Sequence, residues 1–303
     1  MKKIAKLSLV AAVAVAGLTT ANAQSLEDAI KNVETSGSVV YRYNDYRNDA
    51  KTNGVTKGSN TNNNYKVALN LSSKVNDDVK FNSRFLVAND DGNFAGPLDT
   101  QDAGDTNPGV SLSHANFGYT GIANTTITAG KQGLTTPWTV AIDSDGQEQT
   151  GTGLLALTTV GPVTLAAAYF NQTNLDNSDY AATLNALSPN GKAGSRDIIT
   201  VGAIANLDFV TLDAWYLDLA ETFDSYTVGA KADLDLSDVK LGVDARYASL
   251  NLDNVSDDNA MAKIALTAKA GIVNGKVAYA WTDKEGGLTA LDNDATTTLL
   301  GWN

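Results

Sequence analysis

The sequence contains no cysteine, which excludes a disulfide framework and any thiolate-held metal. Proline is scarce, at 5 residues against 26 glycines, a balance that suits many strands joined by tight turns better than a disordered tail. Histidine occurs once, at His114. Positive charge is in deficit, with 22 Lys and Arg against 34 Asp and Glu. An acidic chain of this kind attracts cations and excludes nucleic acid as a partner. Past the first two dozen residues there is no apolar run long enough to cross a bilayer as a helix. A membrane location for the rest therefore requires a closed barrel, because lipid cannot satisfy open backbone groups.

What is present is an alternation of period two. Tyr65, Val67, Leu69 and Leu71 alternate with Lys66, Ala68, Asn70 and Ser72. A polar turn at 75–78 follows, and then Val79, Phe81, Ser83, Phe85 and Val87 alternate with Lys80, Asn82, Arg84 and Leu86. Successive strand side chains point to opposite faces, so this hairpin has one apolar face and one charged face. A soluble sandwich core would reject Lys66, Lys80 and Arg84, whereas a transmembrane barrel strand needs oil outside and polar groups inside. Lys or Arg facing lipid near the midplane would cost about 2–4 kcal/mol each, which assigns these cations to the lumen.

The first residues have three parts: Lys2, Lys3 and Lys6, an apolar run from Leu7 to Leu18, and Ala21-Asn22-Ala23. This is a secretory signal, read as residues 1–23 with cleavage before Gln24. Its removal takes three positive charges from a net of −12, leaving −15. Residues 24–303 are read as one outer-membrane barrel.

Along that barrel the alternation predicts strands near 38–44, 65–71, 79–87, 111–119, 125–131, 154–160, 163–170, 198–205, 209–219, 226–234, 239–247, 262–270 and 276–281. One more begins at Thr296. The wet faces also carry Arg42, Lys131, Lys240, Arg246 and Lys263. Asn274-Gly275 reads as the turn of the last hairpin. Short turns alternate with long polar segments, among them 89–108, 133–150, 171–195 and 283–294, as in barrels with short periplasmic turns and long outer loops. Aromatics such as Tyr43, Tyr65, Tyr119, Tyr169, Tyr247 and Trp281 gather at strand ends, the distribution of an interfacial girdle. The fold class is therefore all-β, a transmembrane antiparallel up-and-down barrel with roughly fourteen strands present. The short final strand and the ending Gly301-Trp302-Asn303 read as a chain lacking its last strands.

Several stretches resemble the major outer membrane protein porins of Campylobacter and related epsilon-proteobacteria. They include residues 3–12, Leu26-Glu27-Asp28-Ala29-Ile30-Lys31-Asn32-Val33, Tyr41-Arg42-Tyr43, Ala129-Gly130-Lys131-Gln132, Trp138 and Ala141-Ile142-Asp143. The resemblance implies a trimeric general-diffusion porin of about eighteen strands, in the outer membrane, passing ions and small hydrophilic solutes and needing no cofactor. It also implies that the third long loop, 133–150, folds inward. Asp143, Asp145 and Glu148 would then face Arg42, Lys66, Arg84 and Lys131 across a constriction, and a mild cation preference would follow from the net charge.

The sequence admits three other readings. The barrel could serve only to display its loops as a surface adhesion protein. The acidic loops could bind divalent cations, although no segment has a calcium-loop spacing. Ser111 and Ser113 near His114 invite a hydrolase reading, but strict alternation points both serines away from the imidazole.

Overall fold

The computed structural model describes residues 31–47, 59–88, 94, 109–253, 258–284 and 286–299. The signal segment and residues 24–30 lie outside these residues, as do most of the loop at 89–108 and the last residues, 300–303. Among the described residues one antiparallel sheet of 13 strands runs in sequence order. Its strands are β1 (Glu34–Arg47), β2 (Ser59–Lys74), β3 (Val79–Ala88), β4 (Gly109–Tyr119), β5 (Thr125–Gly133), β6 (Thr150–Val160) and β7 (Val163–Thr173). β8 (Ile198–Leu207), β9 (Val210–Leu219), β10 (Phe223–Leu236), β11 (Val239–Leu252), β12 (Asp258–Ala270) and β13 (Val273–Thr282) complete it. One short helix, α1 (Ala181–Leu187), interrupts the segment between β7 and β8. It stops at Ser188, which is extended ahead of Pro189 as a residue before proline prefers. No helix of the described residues is long and apolar enough to cross a membrane.

Every strand pairs with its chain neighbour, and the register preserves the two faces. Lys66, Ala68 and Asn70 share a face with Leu86 and Arg84, while Leu69 and Phe85 share the other. Across the sheet the outer face exposes Val39, Tyr41, Leu165, Val201, Val228, Leu266 and Val277. Outward aromatics collect at both rims. Tyr226 with Tyr247 (6.0 Å) and Tyr279 with Trp281 (5.5 Å) lie at the loop end, and Phe81 with Phe117 (5.1 Å) at the turn end. The sheet must curl, because the segment between β5 and β6 touches both sides of it. Trp138 donates to Ser225 on β10, while Glu148 pairs with Lys66 on β2.

The turns are built with economy. Gly161-Pro162, Asp208-Phe209, Ser237-Asp238 and Gly271-Ile272 are two-residue links, each with positive φ at its first residue only (58°, 44°, 61° and 56°). That conformation matches the right-handed twist of the strands it joins.

Four expectations need correction here. The last hairpin turns at Gly271-Ile272, and Asn274-Gly275 lie within β13, paired with Lys269 and Ala268. A two-residue link needs positive φ at its first position, and Gly271 supplies it. The loop after β1 is shorter than the sequence implied, because β2 already begins at Ser59. The loop asymmetry is broken between β9 and β10, which are joined at the loop end by only Ala220-Glu221-Thr222. Finally, residues 296–299 form turns rather than a fourteenth strand. Thr297 and Thr296 are drawn inward by the carbonyl of Pro137, so this segment packs within the curve instead of extending the sheet.

Candidate functional site: the inward loops

Residues 134–149, between β5 and β6, double back on themselves inside the sheet. The Leu134 N–H donates to Gln149 and the Gln149 N–H donates to Ala141. The tip is a tight turn in which the Gln147 N–H donates to the Asp143 carboxylate (2.8 Å) and the Gly146 N–H to the Asp143 carbonyl (3.1 Å). Gly146 has φ +90°, and a side chain there would collide with the Phe94 ring. Arg42 sits over the same ring, 3.9 Å from its centroid, a cation–π contact.

Glu148 is the hub. Its carboxylate is buried at 2% exposure and meets Arg84 (2.7 Å) and Lys66 (2.9 Å). The Ser113 hydroxyl donates a third bond at 2.5 Å. Lys66 also donates to the Gly146 carbonyl (2.6 Å), and Arg84 reaches Asn70 (2.8 Å). Burial alone would raise the pKa of Glu148, but hydrogen bonds from Arg84, Ser113 and Lys66 outweigh it and bring it down to about 2.

The three loop acids therefore do different things. Glu148 closes onto the wall cations. Asp145 is exposed at the tip, and Arg42 reaches its backbone carbonyl (3.3 Å) rather than its carboxylate. Asp143 turns the other way and joins Asp179 and Asp292, whose carboxylate oxygens all lie within 4.8 Å of one another. Burial pushes the Asp143 carboxyl up, helped by the charge of Asp179. Asp292 is pushed up to about 6 by burial, with the charges of Asp179, Asp143 and Asp294 adding to it. This is the group of carboxylates among the described residues placed to share a cation, and it joins three separate chain segments.

The wall cations also diverge. Lys80 and Lys240 are on the inner face at the turn end, exposed, beside Glu34 (3.8 Å) and Asp235 (2.8 Å). Arg246 is held by Asp213 in a two-pronged pair (2.9 and 2.8 Å). Lys263 is buried and donates to the Thr298 carbonyl (2.8 Å). Lys131 is a correction. It pairs with Ala115 and Thr152 on the outer face, whereas Gly130 and Gln132 hold the inward positions. Its ammonium donates to the Leu112 carbonyl (2.9 Å) near the loop rim, a depth where an outward cation costs only about 0–1 kcal/mol.

Strict alternation also fails at Ser113. The β3–β4 register slips between Arg84 and Phe85, so Ser113 is the extra residue of a bulge. Its hydroxyl then faces the same side as His114, 3.3 Å from Nδ1. The one hydroxyl proton is directed at Glu148, however, and that carboxylate contacts the serine rather than the imidazole. This is the wiring of an anchored loop, not of a nucleophile with its base.

On the opposite side the interior is dry. Trp138, fully buried, packs in a cluster with Phe170, Leu175, Leu184, Leu217, Phe223 and Leu291. Its indole N–H donates to Ser225 (2.8 Å), and its carbonyl accepts from Leu291 (2.8 Å). The segments 171–195 and 283–294, read from the sequence as polar loops, supply much of this plug. Leu288 and Leu291 amid the acids of the latter were the available hint.

The family model described as Campylobacter major outer membrane protein matches residues 1–299. Among solved structures, the Pseudomonas aeruginosa protein OccK2 (OpdF), crystallised with glucuronate, is similar at a TM-score of 0.62 and 13% identity. The match covers 83% of this chain and 65% of OccK2, so the chain spans just under two thirds of that protein. OpdK from the same organism, crystallised with vanillate, matches at TM-score 0.62 and 14% identity over 83% of this chain and 69% of its own. OccK3 (OpdO) matches at 0.62 and 18%, over 85% and 65%. At these identities the likeness establishes the fold, an outer-membrane β-barrel. No curated relative matches the chain.

Proposed function

The chain belongs to the Campylobacter major outer membrane protein family, and from that premise we propose that it forms a passive channel through the outer membrane for ions and small hydrophilic solutes. A single observation carries the reading. A loop folded inside an apolar-coated sheet is fastened to inward-facing cations by one buried carboxylate, Glu148. Such an arrangement narrows a lumen. In this reading 134–149 is the constriction; Arg42, Lys80, Arg84, Lys240 and Arg246 line the water-filled side, while Lys66 and Lys263 face inward but are buried beneath the inward segments. A mild cation preference follows from the acids that remain. Glu148 neutralises part of the charge of Lys66 and Arg84, while Asp143, Asp145, Asp179 and Asp292 make no ion pair among the described residues. The homotrimer implied by the family resemblance belongs to the same proposal.

Protein reconstituted in planar bilayers under a salt gradient tests it. Discrete conductance steps with a reversal potential of the sign for cations are the expected outcome. Membranes that stay silent would remove the channel reading, and an anion-signed potential would remove the selectivity. Cross-linking in detergent, resolved without heating, reads the trimer.

A further inference from the structure

A cavity of about 550 Å³ lies between the inner wall of β1–β4 and Ala141-Ile142 of the constriction loop. Its size falls in the range of small-molecule sites, about 300–1,000 Å³. The strand register lays two rows of side chains across its floor. Ser36, Asn70, Arg84 and His114 stand side by side in the first row. Ser72, Asn82 and Asn116 make the second, two residues along each strand, a step of about 7 Å.

Hydrogen bonds hold these amides in place. The Asn70 amide donates to Ser36 (3.2 Å) and accepts from Arg84 (2.8 Å). Asn82 accepts from the Ser72 hydroxyl (2.9 Å) and donates to the side-chain carbonyl of Asn116 (3.2 Å). Asn116, itself buried, donates onward to the Lys131 carbonyl (3.0 Å). A carboxamide has two N–H donors and two acceptor lone pairs. Among the described residues Asn70 and Asn82 each use one donor and one acceptor. Each keeps one N–H and one lone pair for whatever enters the cavity.

The charge on this floor is already balanced. Arg84 is held by Glu148 (2.7 Å), and Lys80 stands 3.8 Å from Glu34 beside the second row. A spare donor next to a spare acceptor suits a hydroxyl, which does both. An ammonium only donates and a carboxylate only accepts, so either leaves half of these groups unmatched. The roof is carbon: Ala141 and Ile142, the latter 47% exposed, lie against the opposite side of the cavity. A sugar ring has the matching make-up, with hydroxyls at its edge and C–H groups on its faces.

Granting the channel reading, we propose that this cavity is a binding subsite for neutral polyhydroxylated solutes of monosaccharide size. Asn70 and Asn82 hold hydroxyls, and Ile142 covers a C–H face. One such hydrogen bond is worth about a fivefold change in residence.

Single-channel recording on the reconstituted full chain tests this with glucose, glucosamine and gluconate at neutral pH. Glucose is expected to interrupt the open current transiently, and its two charged relatives to give events at least about fivefold shorter. Asn70→Ala and Asn82→Ala should each shorten the glucose events about fivefold, and Ile142→Ser about threefold. Asn206→Ala, an amide at the distant β8–β9 turn, should leave them unchanged. Asn70→Ser and Asn82→Ser, which keep a hydroxyl, should lose less and serve where an alanine variant does not insert. Absence of any channel steps from the unaltered chain would count against the porin reading itself. Steps that glucose never interrupts, a charged relative held as long as glucose, or glucose events unchanged by substitution at both Asn70 and Asn82 would each overturn the subsite while leaving the channel standing.

Discussion

Inside β2–β4 the constriction loop meets the wall through charge, and inside β9–β11 it meets the wall through carbon. Glu148 grips Lys66, Arg84 and Ser113 in the first sector. Trp138, ten residues earlier in the same loop, is sunk among Leu217, Phe223 and Leu250 in the second. The two anchorages answer to different conditions. Ion pairs weaken with salt and with acid, while burial of apolar surface does neither. A loop fixed at one point by each keeps its place when either alone is disturbed. The charged sector also borders a cavity of about 550 Å³, lined by Asn70, Asn82, Arg84, His114 and Asn116.

Four substitutions would break or sharpen this contrast. Trp138→Ala is expected to have the largest effect, about 3–5 kcal/mol of unfolding free energy, because nothing refills the dry space. Denaturant unfolding in micelles should show the loss unchanged between low and high salt. Glu148→Gln should cost less, about 1–3 kcal/mol, because lumen water can reach the freed cations. That loss should shrink with added salt, and loop release should appear as noisier channel current. Its pH dependence has a fixed sign. Glu148 falls from an ordinary 4.5 to about 2 in the folded protein. The stability it adds is present above pH 4.5 and is lost as pH drops through about 2, so wild type and Glu148→Gln should converge there.

Asp292→Asn should act in the opposite direction. With the folded carboxyl raised from 3.8 to about 6, its charged form is penalised above pH 6 and relieved as pH falls toward 3.8. The variant should therefore be about 1–2 kcal/mol more stable than wild type at pH 8 and nearly equal at pH 4, by thermal melts at both values. Ser113→Ala should be the mildest, about 0.5–1.5 kcal/mol from one hydrogen bond, leaving the Arg84 and Lys66 contacts in place.

Strand positions and faces were largely legible, because a half-wet strand writes its environment into every second residue. Lys66, Arg84, Arg246 and Lys263 lie on the inner side that their alternation assigned. The errors fall where the period is interrupted. Asn274-Gly275 has turn chemistry but sits in a strand, since Gly271 closes the hairpin first. Ser113 faces inward only because a bulge adds a residue to β4. Glu148 was legible as a loop acid, but its company was not. Asp179 and Asp292 were missed because they come from segments far apart in sequence.

Alternation by itself determined that this chain is a sheet with one face for lipid and one for water, because a strand's side chains are tied to a period of two. Which acid is neutralised and which is left charged was decided only by the tertiary structure. Loops carry no period, and a carboxylate's fate depends on what lies within about 3 Å of it. For Glu148 and Asp143, five residues apart on one loop, that surrounding is a pair of cations in one case and two more carboxylates in the other.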